Sequence, residues 1–439
     1  MGKRVLLIGT GPLPGADPEE LGFPQLRTEH FRALLDQRFE LQLVLLQDEN
    51  LPVSTGIEAV QPGSPGWLQR IRALREDFSP DVVVSAAPYE PARAAALTIG
   101  EEPLFVDVPG DPFAEAQAKA SHLGEGDPTK HMVAAWMPAL ARADAFGVIG
   151  PSQRAALLGQ LGLLGRLTGA PPELERVRVV RGCFDFGALP VGRPRTWESR
   201  CPRFVVALCG GYNTWLDADT VLEGLLLAMR RIPALQVVST GGAIAGHHSA
   251  TYEAFRAQAL ASSFASRFTF HGWVPHSVLP RLLGAAHIGV TLDRPGVEAE
   301  LGCRTRILFY VHQGLTPLST ARCDLAKELA GLRMLQPIAM GSPESLAERL
   351  HAAWEEGSDG TTAHRAQRYL ESRAAPRIAL RGMLEFVEQA FRTRPAPDRE
   401  AELARQVALL SEELATVYST PTWKVSASTR RMLDRLKKR

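Results

Sequence analysis

The chain has 439 residues, with 45% apolar and 22% charged side chains, and 49 Lys+Arg against 48 Asp+Glu leave a net charge of +1. At about 150 residues per domain this length predicts two or three globular domains, and the balanced charge excludes a global basic field for nucleic acid. The five cysteines, Cys183, Cys201, Cys209, Cys303 and Cys323, are odd in number and form no CxxC pair, which argues against a disulfide framework or a zinc knuckle and for reduced thiols.

In chain order, the run Val5–Leu6–Leu7–Ile8–Gly9 predicts a buried parallel strand rather than a signal peptide. A helix at 29–37, a strand at 39–46, a helix at 67–77 and strands at 82–85 and 103–108 continue a strand–helix alternation. Helices at 91–99 and 130–143 and strands at 145–149 and 177–181 complete a first doubly wound series. A Pro-, Arg- and Gly-rich stretch at 187–202 predicts a linker. A second series follows: strands at 204–209, 235–239, 268–270, 288–292 and 316–319, with helices at 220–231, 251–260, 277–285 and 304–313 between them. Two successive series of this kind outline two Rossmann-like domains facing a cleft, with ligands at the strand carboxyl ends. Boundaries at 1–190, 202–375 and 376–439 are expected.

The last segment differs. Leu403, Val407, Leu410, Leu414 and Val417 are spaced as a heptad seam, so 398–418 is expected to be a homodimer contact. From Lys424 onward seven Lys/Arg and one Asp surround Val425, Met432, Leu433 and Leu436. Two readings stand side by side: an amphipathic contact with an anionic membrane surface, and a solvated basic tail. No apolar stretch approaches the roughly 18 residues of a membrane helix, and the expected location is cytoplasmic, with peripheral contact on the inner membrane face.

Several stretches bear on chemistry. Gly9-Thr10-Gly11 follows the first strand, but Pro12 and Pro14 remove amide donors and the third glycine is misplaced, so Gly11 is expected to line an interdomain cleft rather than a nicotinamide site. Gly210-Gly211-Tyr212-Asn213 and Gly241-Gly242 both follow strands of the second series, where glycine lets the backbone approach a ligand closely. The most informative stretch is Glu298 to Gly314, in which a helix starting near Cys303 places Arg304 and Arg306 in its first turn. Cations there oppose the helix dipole. Their compensation is either a ligand diphosphate on the free amides or an ion pair with Glu298, Glu300 or Asp293. His247-His248 lacks a second ligand cluster at metal spacing and reads as a surface loop.

The run Phe270-His271-Gly272-Trp273-Val274, with Leu279-Pro280, Leu282-Leu283 and Ala285 to Val290 after it, resembles glycosyltransferase family 4 and its relatives. Leu301 to Tyr310 with Gly314-Leu315, then Thr320 and Asp324-Leu325-Ala326, resembles the donor-site helix of that superfamily. Over roughly 1–395 the chain is similar to a bacterial subgroup of these enzymes, in its first half through Leu26-Arg27-Thr28, Asp107 to Gln117 and Gln153 to Arg166. The resemblance implies an α/β GT-B fold: two Rossmann-like domains facing a cleft, with a C-terminal helical tail. It further implies a retaining, metal-independent transfer from a nucleoside diphosphate sugar, used as co-substrate with no further cofactor. The acceptor class stays open between saccharide, lipid-linked and natural-product compounds.

On this resemblance the donor is bound by Gly11, Gly210, Gly211, Asn213, Gly241, Gly242, His271, Gly272, Trp273, Val274, Arg304, Arg306 and Thr320. Glu298 or Glu300 approaches the donor sugar, with Asp111 as a further catalytic candidate, and Arg27 and Glu115 lie on the acceptor side. Asp111 and Glu115 have a plainer reading as caps of a helix starting near Phe113. The chain also departs from the family. Phe309 stands where the second acidic residue, a ribose ligand, belongs; the proline after Gly314 comes one place late; and 211–217 lacks the Arg and Lys pair. These departures point to the alternative of a catalytically impaired GT-B-fold binding or assembly subunit.

Overall fold

The computed structural model describes residues 2–48, 50–51, 56–87, 89–124, 129–167, 174–187, 189–244 and 249–393. The heptad segment 398–418, the basic tail 420–439 and His247-His248 lie outside the described residues. The first sheet holds β1 (Arg4–Thr10), β2 (Glu40–Leu46), β3 (Ile57–Val60), β4 (Val82–Ser85), β5 (Leu104–Val108), β6 (Ala145–Val148) and β7 (Val177–Val179). Its strands are parallel throughout, in the order β3-β2-β1-β4-β5-β6-β7. The second holds β8 (Phe204–Cys209), β9 (Leu235–Thr240), β10 (Phe268–Phe270), β11 (Ile288–Thr291), β12 (Thr316–Ser319) and β13 (Gln336–Pro337), also parallel, in the order β10-β9-β8-β11-β12-β13.

The first sheet is sealed on both faces, which is why its central strands read as unbroken apolar runs. Leu6, Ile8, Val83 and Val106 enter the core on one face. Their neighbours Val5, Leu7, Val82, Val84 and Phe105 enter the other, where Met383, Leu384, Phe386 and Val387 of the helix Arg381–Glu388 cover them. The chain thus returns from the second lobe to close the first. No helix among the described residues is long and apolar enough to cross a membrane.

Helix starts differ from expectation where a cap decides them. The first helix runs Phe23–Leu35 rather than 29–37, because Pro24 fits its first turn and the Gln25 side chain accepts from the Gly22 amide at 3.1 Å. The helix expected from near Cys303 runs Thr305–His312 with Arg304 as its N-cap residue rather than in its first turn, and a separate short helix, Val297–Leu301, precedes it.

The strand order reverses between β1 and β4 in one sheet and between β8 and β11 in the other. Such switch points open ligand crevices at strand carboxyl ends. Those ends face each other. In the loop after β1, Asp17 accepts from the Ser277 amide and hydroxyl at 2.9 and 2.6 Å. Beyond β6, Ser152 donates through its amide and hydroxyl to Asp324 at 2.9 and 2.7 Å. The helix Pro112–Leu123, beyond β5, packs on Val297–Leu301.

Arg27, expected at the acceptor, sits in the core of the first lobe. It is 0% exposed and pairs through Nε and Nη2 with both oxygens of Asp107, which is also 0% exposed, at 2.8 Å each. Its remaining N–H groups donate to the carbonyls of Val180 and Arg181 at 2.9 and 2.5 Å. The expectation of an acceptor contact gives way to a structural pair that ties the first helix to β5 and the exit of β7. Arg27→Met strands the Asp107 carboxylate without its partner and is expected to lower stability by about 3–5 kcal/mol, whereas Arg27→Met with Asp107→Leu costs less. Denaturant midpoints of the two variants check this; equal losses would refute it.

Candidate active site

At the carboxyl edge of the second sheet three glycine turns meet. Gly210 after β8, Gly241 after β9 and Gly272 after β10 have φ of 90°, 83° and 67°, in the left-handed region that favours glycine. A side chain at Gly241 would stand 2.4 Å from the Gly210 carbonyl. The Gly241 amide donates to the Gly272 carbonyl at 2.7 Å and the Tyr212 amide to the Gly242 carbonyl at 2.9 Å, so the turns form one stitched ledge. Gly211 is buried within it and Asn213 stands partly exposed beside it. The Trp273 indole donates to the Ala243 carbonyl at 2.5 Å. Val274 is partly buried, and the ring of His271 is exposed while its amide donates to the Ser239 carbonyl at 2.9 Å. Gly11 ends β1 on the facing lobe, where a side chain would collide with Gln47.

The two arginines at the head of Thr305–His312 have different fates. Arg304 is 5% exposed and bound within the protein. Its Nε donates to Asp293 Oδ1 at 2.6 Å, and Nη1 and Nη2 donate to the two oxygens of Glu298 at 2.8 and 2.6 Å. Thr320 donates to the other Asp293 oxygen at 2.7 Å. Of the two compensations open for Arg304, the structure holds the ion pair. Glu298, 2% exposed and with both oxygens on Arg304, does not project towards a donor sugar. Nor does Glu300, which is paired with Arg322 and, at 2.6 Å, with Lys327. Thr320 is likewise committed, to Asp293.

Arg306 is the other case. Its guanidinium lies against Gly210, with Nε 3.2 Å from where a side chain there would begin. It lines a small hollow with Leu208, Cys209, Tyr212, Leu216 and Val290. Among the described residues it makes no hydrogen bond or ion pair. A cation at the ledge, partly buried and without an internal partner, can take an anion.

The facing lobe contributes a carboxyl pair. Asp111 caps Pro112–Leu123, accepting from the Ala114 amide at 2.9 Å, and its second oxygen takes a hydrogen bond from Gln160 at 2.6 Å. It acts as a helix cap and not as a free acid. Glu115 points into the cleft instead. Burial pushes its carboxyl up to about 8; the Tyr89 hydroxyl, which donates to it, works against that, and Glu298 adds to it. Tyr89 carried no signal in the sequence, since nothing about a tyrosine before Glu90-Pro91 marks it as facing a carboxyl on another helix. Asp107 was equally hidden inside an apolar strand. Phe309, where the resemblance leads one to expect a second acidic residue, packs edge-on against Phe186 of the interlobe segment with ring centroids 5.0 Å apart. Among the described residues no His/Cys/Asp/Glu group is arranged to hold a metal ion.

No protein-family model matches the sequence, and no curated protein matches it. Solved structures do. HepE of Anabaena, in complex with UDP and glucose, aligns over 88% of this chain and 100% of its own at 15% identity, with a TM-score of 0.61. A sucrose-phosphate synthase from Thermosynechococcus elongatus aligns over 88% and 98% at 15% identity, with a TM-score of 0.63. A UDP-forming α,α-trehalose-phosphate synthase from Burkholderia vietnamiensis aligns over 89% and 99% at 9% identity, with a TM-score of 0.62. What these proteins share with the chain is architecture, and the architecture is GT-B: two parallel α/β sheets with their carboxyl edges opposed across a cleft.

Proposed function

We propose that the chain is a glycosyltransferase that moves a sugar from a nucleoside diphosphate sugar to a saccharide, lipid-linked or natural-product acceptor, with retention and without a metal. The observation that carries this reading is Arg306, an unpaired cation beside the three-glycine ledge at the switch point of the second sheet. Departure of a nucleoside diphosphate concentrates negative charge on the leaving oxygens. Arg306 and the first-turn amides of Thr305–His312 supply fixed positive charge where that develops. Arg304 contributes indirectly, by absorbing Asp293 and Glu298 so that their charges do not oppose the ligand. Similar structures support the donor class: HepE was solved with UDP and with UDP-glucose.

Two arginines two residues apart thus have opposite expected phenotypes. Arg306→Ala should fold normally and lose about 1.5–3 kcal/mol of nucleoside diphosphate affinity, the scale of a charged hydrogen bond. Arg304→Ala leaves two buried carboxylates unpaired and should lose about 3–5 kcal/mol of stability. Calorimetric titration with a panel of nucleoside diphosphates, alongside thermal melts, measures both. Absence of binding by every member, or unchanged affinity in Arg306→Ala, would sink the donor reading.

A second reading has its own observations. Phe309 removes the ribose acceptor, and Glu298 is closed off by Arg304. Both suit a subunit that keeps the fold for binding or assembly. Sugar transfer by the purified chain alone eliminates this reading; nucleotide binding without turnover over any acceptor class favours it.

We assign the tail to an anionic membrane surface, which makes the protein cytoplasmic and peripheral, and the heptad segment 398–418 to a homodimer contact. Deletion of 420–439 should reduce sedimentation with anionic liposomes and leave the nucleotide affinity intact. Equal sedimentation would reject the membrane assignment.

A further inference from the structure

The cleft wall opposite the glycine ledge is shaped around one side chain. Glu115 leaves its helix and passes over Gly110, whose φ of 120° and missing side chain make room: a Cβ there would stand 2.5 Å from Glu115 Oε1. Tyr89, on the separate loop after β4, donates its hydroxyl to Glu115 Oε2. That loop holds Ala87 and Tyr89 at φ of 74° and 66°, a left-handed conformation that non-glycine residues adopt at a cost of about 1–3 kcal/mol each. With Oε2 occupied by Tyr89, Oε1 remains for a ligand.

The charges around this carboxyl are unequal. From its own lobe it faces Tyr89 and the capping carboxylate Asp111, and from the opposite lobe Glu298 and Arg304. Asp293 and Arg306 lie behind these, the first on Arg304 and the second acting on Glu298. Arg304 is already shared by Asp293 and Glu298. Among the described residues the cation that faces this carboxyl is Arg304, already held by two carboxylates, and a polar group that presents a hydrogen-bonding oxygen without free positive charge suits a hydroxyl.

We propose that Tyr89 positions Glu115 to hydrogen-bond a hydroxyl of an uncharged sugar in the cleft, and that this pair selects against sugars bearing a carboxylate or a phosphate. The inference rests on the glycosyltransferase reading and names the substrate class that this wall takes. Tyr89 is a positioning residue; Glu115 makes the contact. In its protonated form, favoured because burial raises its affinity for the proton, Glu115 donates to the sugar oxygen. Ionisation as pH rises through about 8 turns Glu115 from donor to acceptor of the sugar hydroxyl and adds a charge that repels a carboxylate or a phosphate.

The test uses the full chain and the nucleoside diphosphate that binds in the panel above, bare and as its glucose and glucuronic acid conjugates. The wild type should bind the glucose conjugate roughly tenfold more tightly than the glucuronic acid conjugate. Tyr89→Phe should lose roughly that factor for the glucose conjugate, the scale of one hydrogen bond, with unchanged affinity for the bare nucleotide and an unchanged melting temperature. Binding of the bare nucleotide with equal affinity for both conjugates overturns this inference and spares the donor reading; no affinity for the bare nucleotide sinks both. A carbon-13 titration of glutamate-labelled protein, assigned with Glu115→Gln, supplies a readout independent of any ligand. Glu115 should titrate near 8, and in Tyr89→Phe at a still higher pH, because the lost hydroxyl favoured the ionised form. Titration near the ordinary 4.5, or no movement in Tyr89→Phe, overturns the proposal.

Discussion

Arg304, clamped between Asp293 and Glu298, is the contact on which the rest of the cleft depends. One guanidinium joins the loop after β11, the short helix Val297–Leu301 and the head of Thr305–His312, and through Asp293 it reaches Thr320 beyond β12. Removing three charges from water is expensive, and such clusters persist when their geometry satisfies every oxygen. Here the four carboxylate oxygens all have donors. The result is specificity of shape: the cleft floor has one arrangement, and the neighbouring arginine is left over for something the protein itself does not supply.

The first lobe repeats the device. Arg27 and Asp107 form a fully buried bidentate pair, with the spare donors on carbonyls at the end of β7. Each lobe therefore fixes its cleft-facing edge by an arginine bound wholly within the protein. That separates two roles that look alike in a residue string, since an arginine near a glycine turn is as readily a strut as a receptor.

The alternation of strands and helices and the glycine turns after β8 and β9 were legible because they rest on local pattern, buried apolar runs and turn chemistry; the strand order that sets the switch points was not. The short edge strands β3 and β13 were not, because four- and two-residue strands carry no period. Side-chain partners were less legible still. Arg304 and Arg306 sit two positions apart at a helix start, and only the local break at Gly302 and Cys303 turns one back towards Asp293 and leaves the other beneath Gly210. Arg27, outside the helix expected at 29–37, reads as an acceptor contact until Asp107 is placed opposite it. The Tyr89–Glu115 contact joins residues 26 apart, one on a loop and one on a helix, whose approach no periodicity encodes.

Asp324 has a structural meaning that reaches past the ion pairs. Its carboxylate belongs to the second lobe but receives the Ser152 amide and hydroxyl in the first turn of Pro151–Leu163, where Gly150 leaves no room for a side chain of its own. The first lobe has thus outsourced the finishing of one of its helices to its neighbour. Hinge motion that parts the lobes must bare an amide and a carboxylate together, and water has to replace both before the gap widens. The contact between the lobes is consequently a matter of secondary structure being completed as well as of surfaces meeting.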